Sequence, residues 1–201
     1  MSFHPLMPYG TDRWHRSERV LLPAGEPFAY TPDRAAALEE ICAKYPPERR
    51  KSAVLAALYL VQEQQGYITA SAARHVAEFL RITPADVEDV ATYYVMFYKA
   101  PVGKYVLQVC RTLSCALAGA ERVVETLSEK LGIAVGETDA SGMFTLLEFE
   151  CLGACDRAPV VMVNNEHWAE RVTPENCSTL LEDLRQRGPA VLSGCHLQVE
   201  R

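Results

Sequence analysis

The carboxy-terminal half of the chain contains the sequence Tyr105-Val-Leu-Gln-Val-Cys-Arg-Thr-Leu-Ser-Cys115. Its first five residues are rich in β-branched and aromatic side chains and predict a short strand, which two cysteines in C-x4-C spacing follow at once. A second pair, Cys151 and Cys155 in C-x3-C spacing, follows the predicted strand Met143 to Phe149. Adjacent strands of one sheet would bring both loops to the same edge, so we expect the four thiols to converge on one small site.

Four converging thiolates are typical of a zinc site or of an iron–sulfur cluster. Structural zinc usually takes closely spaced pairs around one metal atom, whereas a [2Fe–2S] cluster has two ligands on each of two irons and tolerates wider, unequal spacing. The two spacings therefore favour a [2Fe–2S] cluster. Two other interpretations stay open: four unconnected buried cysteines, or a C-x3-C dithiol redox centre, although catalytic dithiols are normally C-x-x-C.

The surroundings of the two pairs carry charge of both signs. Arg111 and Arg157 flank cysteines and offset negative charge, while three acidic residues act against them, namely Glu148, Glu150 and Asp156. A helix is predicted from Ala116 to Leu131, and its amino-terminal amides would be directed toward Cys115. Its apolar residues in register, which are expected to face the core, are Leu117, Val123, Val124, Leu127 and Leu131. Gly153 permits close approach of the backbone to a cluster. The remaining cysteines are predicted to be two packing residues and one exposed thiol, namely Cys42, Cys177 and Cys195.

The chain changes its pattern at Pro101-Val-Gly103. Before this point four helices are predicted, starting at the caps Thr31, Ser71 and Thr83 and, for the second helix, at about Glu48. They end at Pro46-Pro47, Gly66, about Leu80 and about Phe97. Within the last helix, the four aromatic residues Tyr93, Tyr94, Phe97 and Tyr98 cannot all face one core.

After Gly103 the predicted order is strand, helix, strand, strand and helix. A third strand is predicted at Val160 to Val163, a hairpin turn at Asn164-Asn165, and a last helix from Thr173. The predicted fold class is α/β, with an N-terminal helical bundle followed by a thioredoxin-like α/β ferredoxin domain. The predicted boundaries are 1–30 for an N-terminal extension, 31–100 for the helical domain, 101–188 for the [2Fe–2S] domain and 189–201 for a C-terminal tail.

Composition argues against several classes of protein. A net charge of −6 disfavours general nucleic-acid binding. The longest apolar run, Ala53 to Val61, has nine residues, against the roughly 20 that a transmembrane helix needs. Residues 1–10 do not form a secretory signal, and seven cysteines do not suit a secreted disulfide framework. No G-x-G occurs, so the dinucleotide-binding fingerprint is missing.

Two segments resemble the family of the 24-kDa [2Fe–2S] subunit of NADH:quinone oxidoreductase (respiratory complex I). They are Val109-Cys-Arg-Thr-Leu-Ser-Cys115 and Glu150-Cys-Leu-Gly-Ala-Cys-Asp-Arg-Ala-Pro159, with Val163-Asn164 after them. Thr92-Tyr-Tyr-Val-Met-Phe97 and Pro101-Val-Gly-Lys-Tyr105 are similar to the same family, and the resemblance covers about Thr31 to Arg187. It implies a thioredoxin-like domain that holds one [2Fe–2S] cluster through Cys110, Cys115, Cys151 and Cys155.

The resemblance also implies an electron-transfer subunit of NADH dehydrogenase (quinone), an oxidoreductase and translocase. Its cluster would exchange electrons with FMN in a partner subunit that also binds NADH, beside further peripheral-arm iron–sulfur subunits. We expect no catalytic residue in this chain, no nucleic-acid partner, no direct membrane span, and a place in the cytoplasmic peripheral arm of a membrane-bound complex. The alternatives are the equivalent diaphorase-module subunit of an NAD-linked formate dehydrogenase or hydrogenase, a free thioredoxin-like ferredoxin, or a zinc-stabilised binding module.

Overall fold

The computed structural model describes residues 22–192, and the chain divides between Ala100 and Pro101 into two compact units. Within residues 22–100 the first unit contains four α-helices, namely α1 (Pro32–Cys42), α2 (Val54–Gln65), α3 (Ala70–Leu80) and α4 (Pro84–Tyr93). Their apolar faces enclose one core, in which Leu38, Leu58 and Val76 are completely buried. None of the helices within the described range is long and apolar enough to cross a membrane.

The predicted second helix begins later than expected. Pro47–Ala53 forms a 3-10 helix instead, in which Arg49 leaves helical geometry at φ −113° and ψ 19°. The Arg50 guanidinium donates two hydrogen bonds to Glu39, at 3.0 and 2.8 Å, and lies over the ring of Phe79. These contacts connect the segment to α1 and α3, and no local propensity reveals them.

Two helix ends also differ from prediction. Thr69, not Ser71, caps α3 by accepting the amide hydrogen of Ala72, whereas the Ser71 hydroxyl accepts that of Phe28. The predicted cap at Thr83 is confirmed and forms a reciprocal capping box with Asp86. Helix α4 ends at Tyr93, before the predicted Phe97.

The aromatic residues near this end face different environments, as predicted. Phe97 is 1% exposed in the core of the first unit, while Tyr93 is 78% exposed. A single helical face therefore does not bury the whole group.

The second unit is built on a four-stranded sheet in the order β2-β1-β3-β4. The strands are β1 (Tyr105–Cys110), β2 (Phe144–Phe149), β3 (Val161–Val163) and β4 (His167–Ala169). The central strand β1 is parallel to β2 and antiparallel to β3. All six residues of β1 are buried, which explains why its sequence shows little alternation of polar and apolar residues.

In the described part of the second unit, three α-helices accompany the sheet: α5 (Leu113–Leu117), α6 (Ala120–Leu131) and α7 (Cys177–Arg187). Helix α6 packs on β1 and β2, and α7 packs on α6. The helix predicted from Ala116 to Leu131 is thus two helices, because Gly119 adopts φ 95°, a left-handed conformation that ends α5. The last helix begins at Cys177 after Asn176, later than the predicted Thr173.

The hairpin predicted at Asn164-Asn165 is confirmed, since both residues have positive φ, at 55° and 61°. Asn165 also exchanges hydrogen bonds with the side chain of Gln108, which is completely buried in β1. The turn thereby satisfies a polar group in the centre of the sheet.

Candidate iron–sulfur centre

Both cysteine pairs lie at the carboxyl edge of the parallel strands β1 and β2. Cys110 is the last residue of β1 and is paired in register with Phe149, the last residue of β2. Cys151 follows Phe149 by two residues, and the Arg111 amide donates to the Phe149 carbonyl across the loops. The prediction that adjacent strands bring the two loops to one edge is confirmed.

The thiols at this edge form two contacting pairs of unequal exposure. Cys110 and Cys115 are each 2% exposed and hydrogen-bond to one another. Cys151 and Cys155 are exposed, with their Sγ atoms 3.5 Å apart. One side of the site therefore faces the core of the second unit and the other side faces the surface.

Within the buried pair, the two thiols have opposite tendencies to ionise. Burial acts to raise the pKa of Cys110, but hydrogen bonds from the hydroxyl and amide of Thr112, from Cys115 and from the amide of Leu152 outweigh it and lower that pKa. Burial, and then the hydrogen bond to Cys110, raise the pKa of Cys115 to about 11. Cys110 is therefore the more readily ionised thiol of this pair.

In the exposed pair, too, one thiol has a lowered pKa and the other a raised pKa. The backbone amide of Gly153 lowers the pKa of Cys151, helped by hydrogen bonds from Cys155 and from the Thr112 hydroxyl. The hydrogen bond to Cys151 in turn raises the pKa of Cys155. Each loop thus directs backbone or hydroxyl donors at one sulfur, as a thiolate bound to metal also requires.

The C-x4-C segment supplies hydroxyl groups that the cysteine spacing does not indicate. The Thr112 Oγ1 lies 3.2 Å from the Sγ of Cys110. The Thr112 hydroxyl also acts to lower the pKa of Cys151, and the Ser114 hydroxyl acts to lower that of Cys155. The prediction that the amino-terminal amides of a helix starting at Ala116 are directed toward Cys115 is wrong. Cys115 lies inside the short helix α5, and α6 begins only at Ala120.

The charged residues around the site are paired with one another. Arg111 donates to Glu150 at 2.7 Å, and Arg157 donates to Asp156 at 3.0 Å and to Glu170 at 2.8 Å. These groups are largely exposed, so each pair contributes little to stability. The predicted offset of cluster charge by the two arginines is therefore reduced, since each is already partnered by a carboxylate.

The C-x3-C loop is fixed by a contact from β4. The indole Nε1 of Trp168 donates to the carbonyl oxygen of Leu152 at 3.2 Å. Gly153 follows with φ 79°, the left-handed conformation that glycine adopts without strain. A Cβ built there meets no protein atom within 4 Å, so within the protein itself Gly153 is distinguished by this conformation and by its amide donor.

We expect Gly153→Ala to lower the iron content of the purified protein, because alanine disfavours the conformation that directs the amide at Cys151. The matched control is Gly136→Ala, since Gly136 also has positive φ, at 93°, and open space around its Cα. Both variants should lose roughly 1–2 kcal/mol of stability in urea unfolding. Only Gly153→Ala should lose iron, and equal iron contents in the two variants would contradict the role of this amide.

The donor set at this edge fits an iron–sulfur cluster better than a single metal ion. In residues 22–192 no group of three or more His, Cys, Asp or Glu side chains is arranged to hold one metal ion. A [2Fe–2S] cluster takes two thiolates on each of two irons, and the site offers two contacting thiol pairs with donors directed at their sulfurs. The assignment of the four cysteines as ligands stays a prediction.

The other cysteines lie away from this edge. Cys42 packs in the core of the first unit and Cys177 in that of the second, at 2% and 0% exposure. The prediction that both are packing residues is confirmed. Cys195 lies outside the described residues.

Helix α5 places two large apolar side chains at the surface beside the site. Leu113, between Cys110 and Cys115 in sequence, is 75% exposed, and Leu117, one turn later, is 81% exposed. The prediction that Leu117 faces the core is wrong. The left-handed residue Gly119 separates α5 from α6, so Leu117 does not share the buried face of α6.

Comparison with known proteins agrees with this geometry. The family model of the thioredoxin-like [2Fe–2S] ferredoxin matches residues 38–185. NADH-quinone oxidoreductase subunit 2 of Thermus thermophilus is 44% identical over 153 residues, which are 76% of this chain and 84% of that protein. The mitochondrial NADH dehydrogenase [ubiquinone] flavoprotein 2 of Dictyostelium discoideum is 38% identical over 164 residues, covering 81% of this chain and 66% of the relative.

A solved structure supports the fold alone. The crystal structure of an NAD⁺-reducing [NiFe]-hydrogenase in the H2-reduced state superimposes with a TM-score of 0.57 at 20% identity, covering 67% of this chain and 22% of that one. The predicted fold class, helices followed by a thioredoxin-like α/β part, is thereby confirmed. The chain belongs to the thioredoxin-like [2Fe–2S] ferredoxin family, as a homologue of an NADH-quinone oxidoreductase subunit.

Proposed function

We propose that this chain is the 24-kDa-type electron-transfer subunit of an NADH-quinone oxidoreductase and carries one [2Fe–2S] cluster on Cys110, Cys115, Cys151 and Cys155. The observation that carries the proposal is the placement of both cysteine pairs, with a hydroxyl donor at Cys110, at the carboxyl edge of β1 and β2. The names of the curated relatives support the assignment to this enzyme.

The residues of the chain bind the cluster and control its surroundings. All four thiols lose their protons on binding, which the amides of Thr112, Leu152 and Gly153 favour by donating to sulfur. A bound [2Fe–2S] cluster supplies one-electron redox chemistry. The buried pair anchors it against the core, and the exposed pair leaves one side accessible to an electron-transfer partner.

The partner that we propose is the subunit that binds FMN and NADH. Leu113 and Leu117 form an exposed apolar face on α5, immediately beside the cysteine loops. An apolar face at this place suits a permanent subunit contact, because such contacts are more hydrophobic than the average protein surface and electron transfer requires close approach of the two redox groups. We name Leu113 and Leu117 the α5 face.

We also propose that the subunit lies in the cytoplasmic peripheral arm of a membrane-bound complex, beside further iron–sulfur subunits. The helical domain comprises residues 31–100 and the cluster domain residues 101–188. Residues 1–30 and 189–201 have no proposed role.

Purification of the full chain under anaerobic conditions tests the cluster. We expect equal amounts of iron and acid-labile sulfide, two of each per chain, and visible absorption bands that bleach on addition of dithionite. Zinc in place of iron, with no sulfide, would overturn the proposal in favour of a zinc-stabilised module.

Co-expression with the flavin-binding subunit from the same organism tests the partner. We expect NADH to reduce the cluster in the two-subunit complex and not in the isolated chain. Isolation of the native complex then identifies the enzyme, because quinone-reducing membrane subunits belong to the respiratory enzyme. Recovery of a molybdenum-containing or hydrogenase subunit instead would overturn that part of the proposal.

A further inference from the structure

Thr112 occupies the N-cap position of α5 but does not cap the helix. A threonine at this position normally accepts a hydrogen bond from an amide of the first helical turn. Here the backbone is extended, at φ −82° and ψ 171°, and the side chain makes no such bond. Thr69 and Thr83 do use their hydroxyls in this way at the starts of α3 and α4. The Thr112 hydroxyl is therefore available for another contact.

That contact is to a sulfur atom at the cysteine edge. The Thr112 Oγ1 lies 3.2 Å from the Sγ of Cys110, which ends β1. The same hydroxyl also acts to lower the pKa of Cys151, which follows β2. The geometric contact of Thr112 is thus with one member of the buried pair.

The direction of the hydrogen bond follows from the chemistry of the partners. A thiolate bound to iron has no proton and acts only as an acceptor, whereas the threonine hydroxyl supplies a proton. Donation to a ligand sulfur withdraws negative charge from the cluster. Because the reduced cluster carries one more negative charge than the oxidised one, the hydrogen bond stabilises the reduced state more strongly.

We propose that Thr112 is a positioning residue that raises the reduction potential of the cluster by donating its hydroxyl hydrogen to the ligand sulfur of Cys110. This inference rests on the proposed ligation of a [2Fe–2S] cluster by the four cysteines. Thr112 sets the potential without binding iron itself.

The experiment compares three variants of the full chain. Thr112→Val removes the hydroxyl and keeps the shape, Thr112→Ala removes both, and Thr112→Ser keeps the hydroxyl alone. The midpoint potential is measured by an EPR-monitored redox titration at constant pH, with iron and sulfide determined on the same samples. We expect Thr112→Val and Thr112→Ala to disfavour the reduced cluster three- to tenfold, about 30 to 60 mV at 59 mV per tenfold for one electron.

Thr112→Ser should change the stability of the reduced cluster by less than about 1.5-fold, which is about 10 mV at 59 mV per tenfold. An unchanged potential in Thr112→Val, or the same decrease in Thr112→Ser, would overturn the inference. If the valine and alanine variants lose the cluster while the serine variant keeps it, the contact between hydroxyl and ligand is supported, and equal loss in all three would overturn it. Wild-type protein without iron and sulfide would refute the proposed function itself, a distinct outcome.

Discussion

Cys151→Ala should remove the iron–sulfur cluster from this chain. The Gly153 amide and the Thr112 hydroxyl act to lower the pKa of Cys151, which favours the thiolate that binds iron. Alanine offers no ligand in place of this thiolate. Iron and sulfide should fall to less than about one tenth of wild type. The carboxy-terminal unit should unfold more easily by roughly 3–4 kcal/mol, the stabilisation from a group present at several hundred to a thousand times its dissociation constant. Elemental analysis and urea unfolding under anaerobic conditions measure both effects.

The control for this substitution is Cys42→Ala. Cys42 is also a cysteine, but it lies in the core of the first unit and is 2% exposed. This variant should keep its full content of iron and sulfide while losing some stability from the small cavity. Full iron content in Cys151→Ala would show that Cys151 is not a ligand. Cys110→Ser provides the same test on the buried pair.

Leu117→Glu should weaken the binding of the flavin subunit by about 30-fold or more, which corresponds to the roughly 2 kcal/mol expected for loss of an interface anchor. Leu117 is 81% exposed in the free chain, so the glutamate should not disturb folding or cluster content. In a complex the carboxylate would be buried against an apolar surface without a partner. Titration of the flavin subunit with the cluster-containing variant measures the affinity between the two subunits. The rate at which NADH reduces the cluster in the complex measures the functional loss.

Val135→Glu is the matched control for the α5 face. Val135 is 42% exposed, lies in the same unit, and belongs to the connection between α6 and β2 rather than to the cysteine loops. The Val135→Glu variant should bind the flavin subunit with wild-type affinity. If Leu117→Glu, fully loaded with iron, binds as tightly as Val135→Glu, the α5 face is not the contact surface.

The sequence predicts those features of the site that depend on local patterns. The strand before Cys110 and the strand before Cys151 follow from short runs of β-branched and aromatic residues, and their parallel pairing brings the loops together. The turn at Asn164-Asn165 follows from residues that tolerate positive φ. The cysteine spacing then narrows the chemistry to a small number of metal centres.

Features that depend on long-range contacts could not be predicted in this way. Arg50 pairs with Glu39 of the preceding helix α1 at the place where the second helix was predicted to begin, and a contact between separate elements has no local signal. The break at Gly119 was visible as a glycine inside a helical pattern, yet glycine is tolerated in many helices. Its consequence was the incorrect burial predicted for Leu117.

Two contacts of the site likewise could not be predicted from the sequence. Thr112 carries a detectable signal, since a threonine directly before a helix is typical of a cap, but only the folded loops show that its hydroxyl faces sulfur. The contact between Trp168 and Leu152 joins residues on different elements and has no signal in the sequence.

The hydrogen bond from Trp168 to Leu152 gives the protein an internal optical reporter. The chain has only two tryptophans, and the other, Trp14, lies outside the described residues. Iron–sulfur clusters absorb light where indole emits, so the fluorescence of Trp168, held against the C-x3-C loop, should be quenched when the cluster is bound and recover as it is lost. In a Trp14→Phe background, emission intensity alone would follow assembly and oxidative breakdown of the centre in real time.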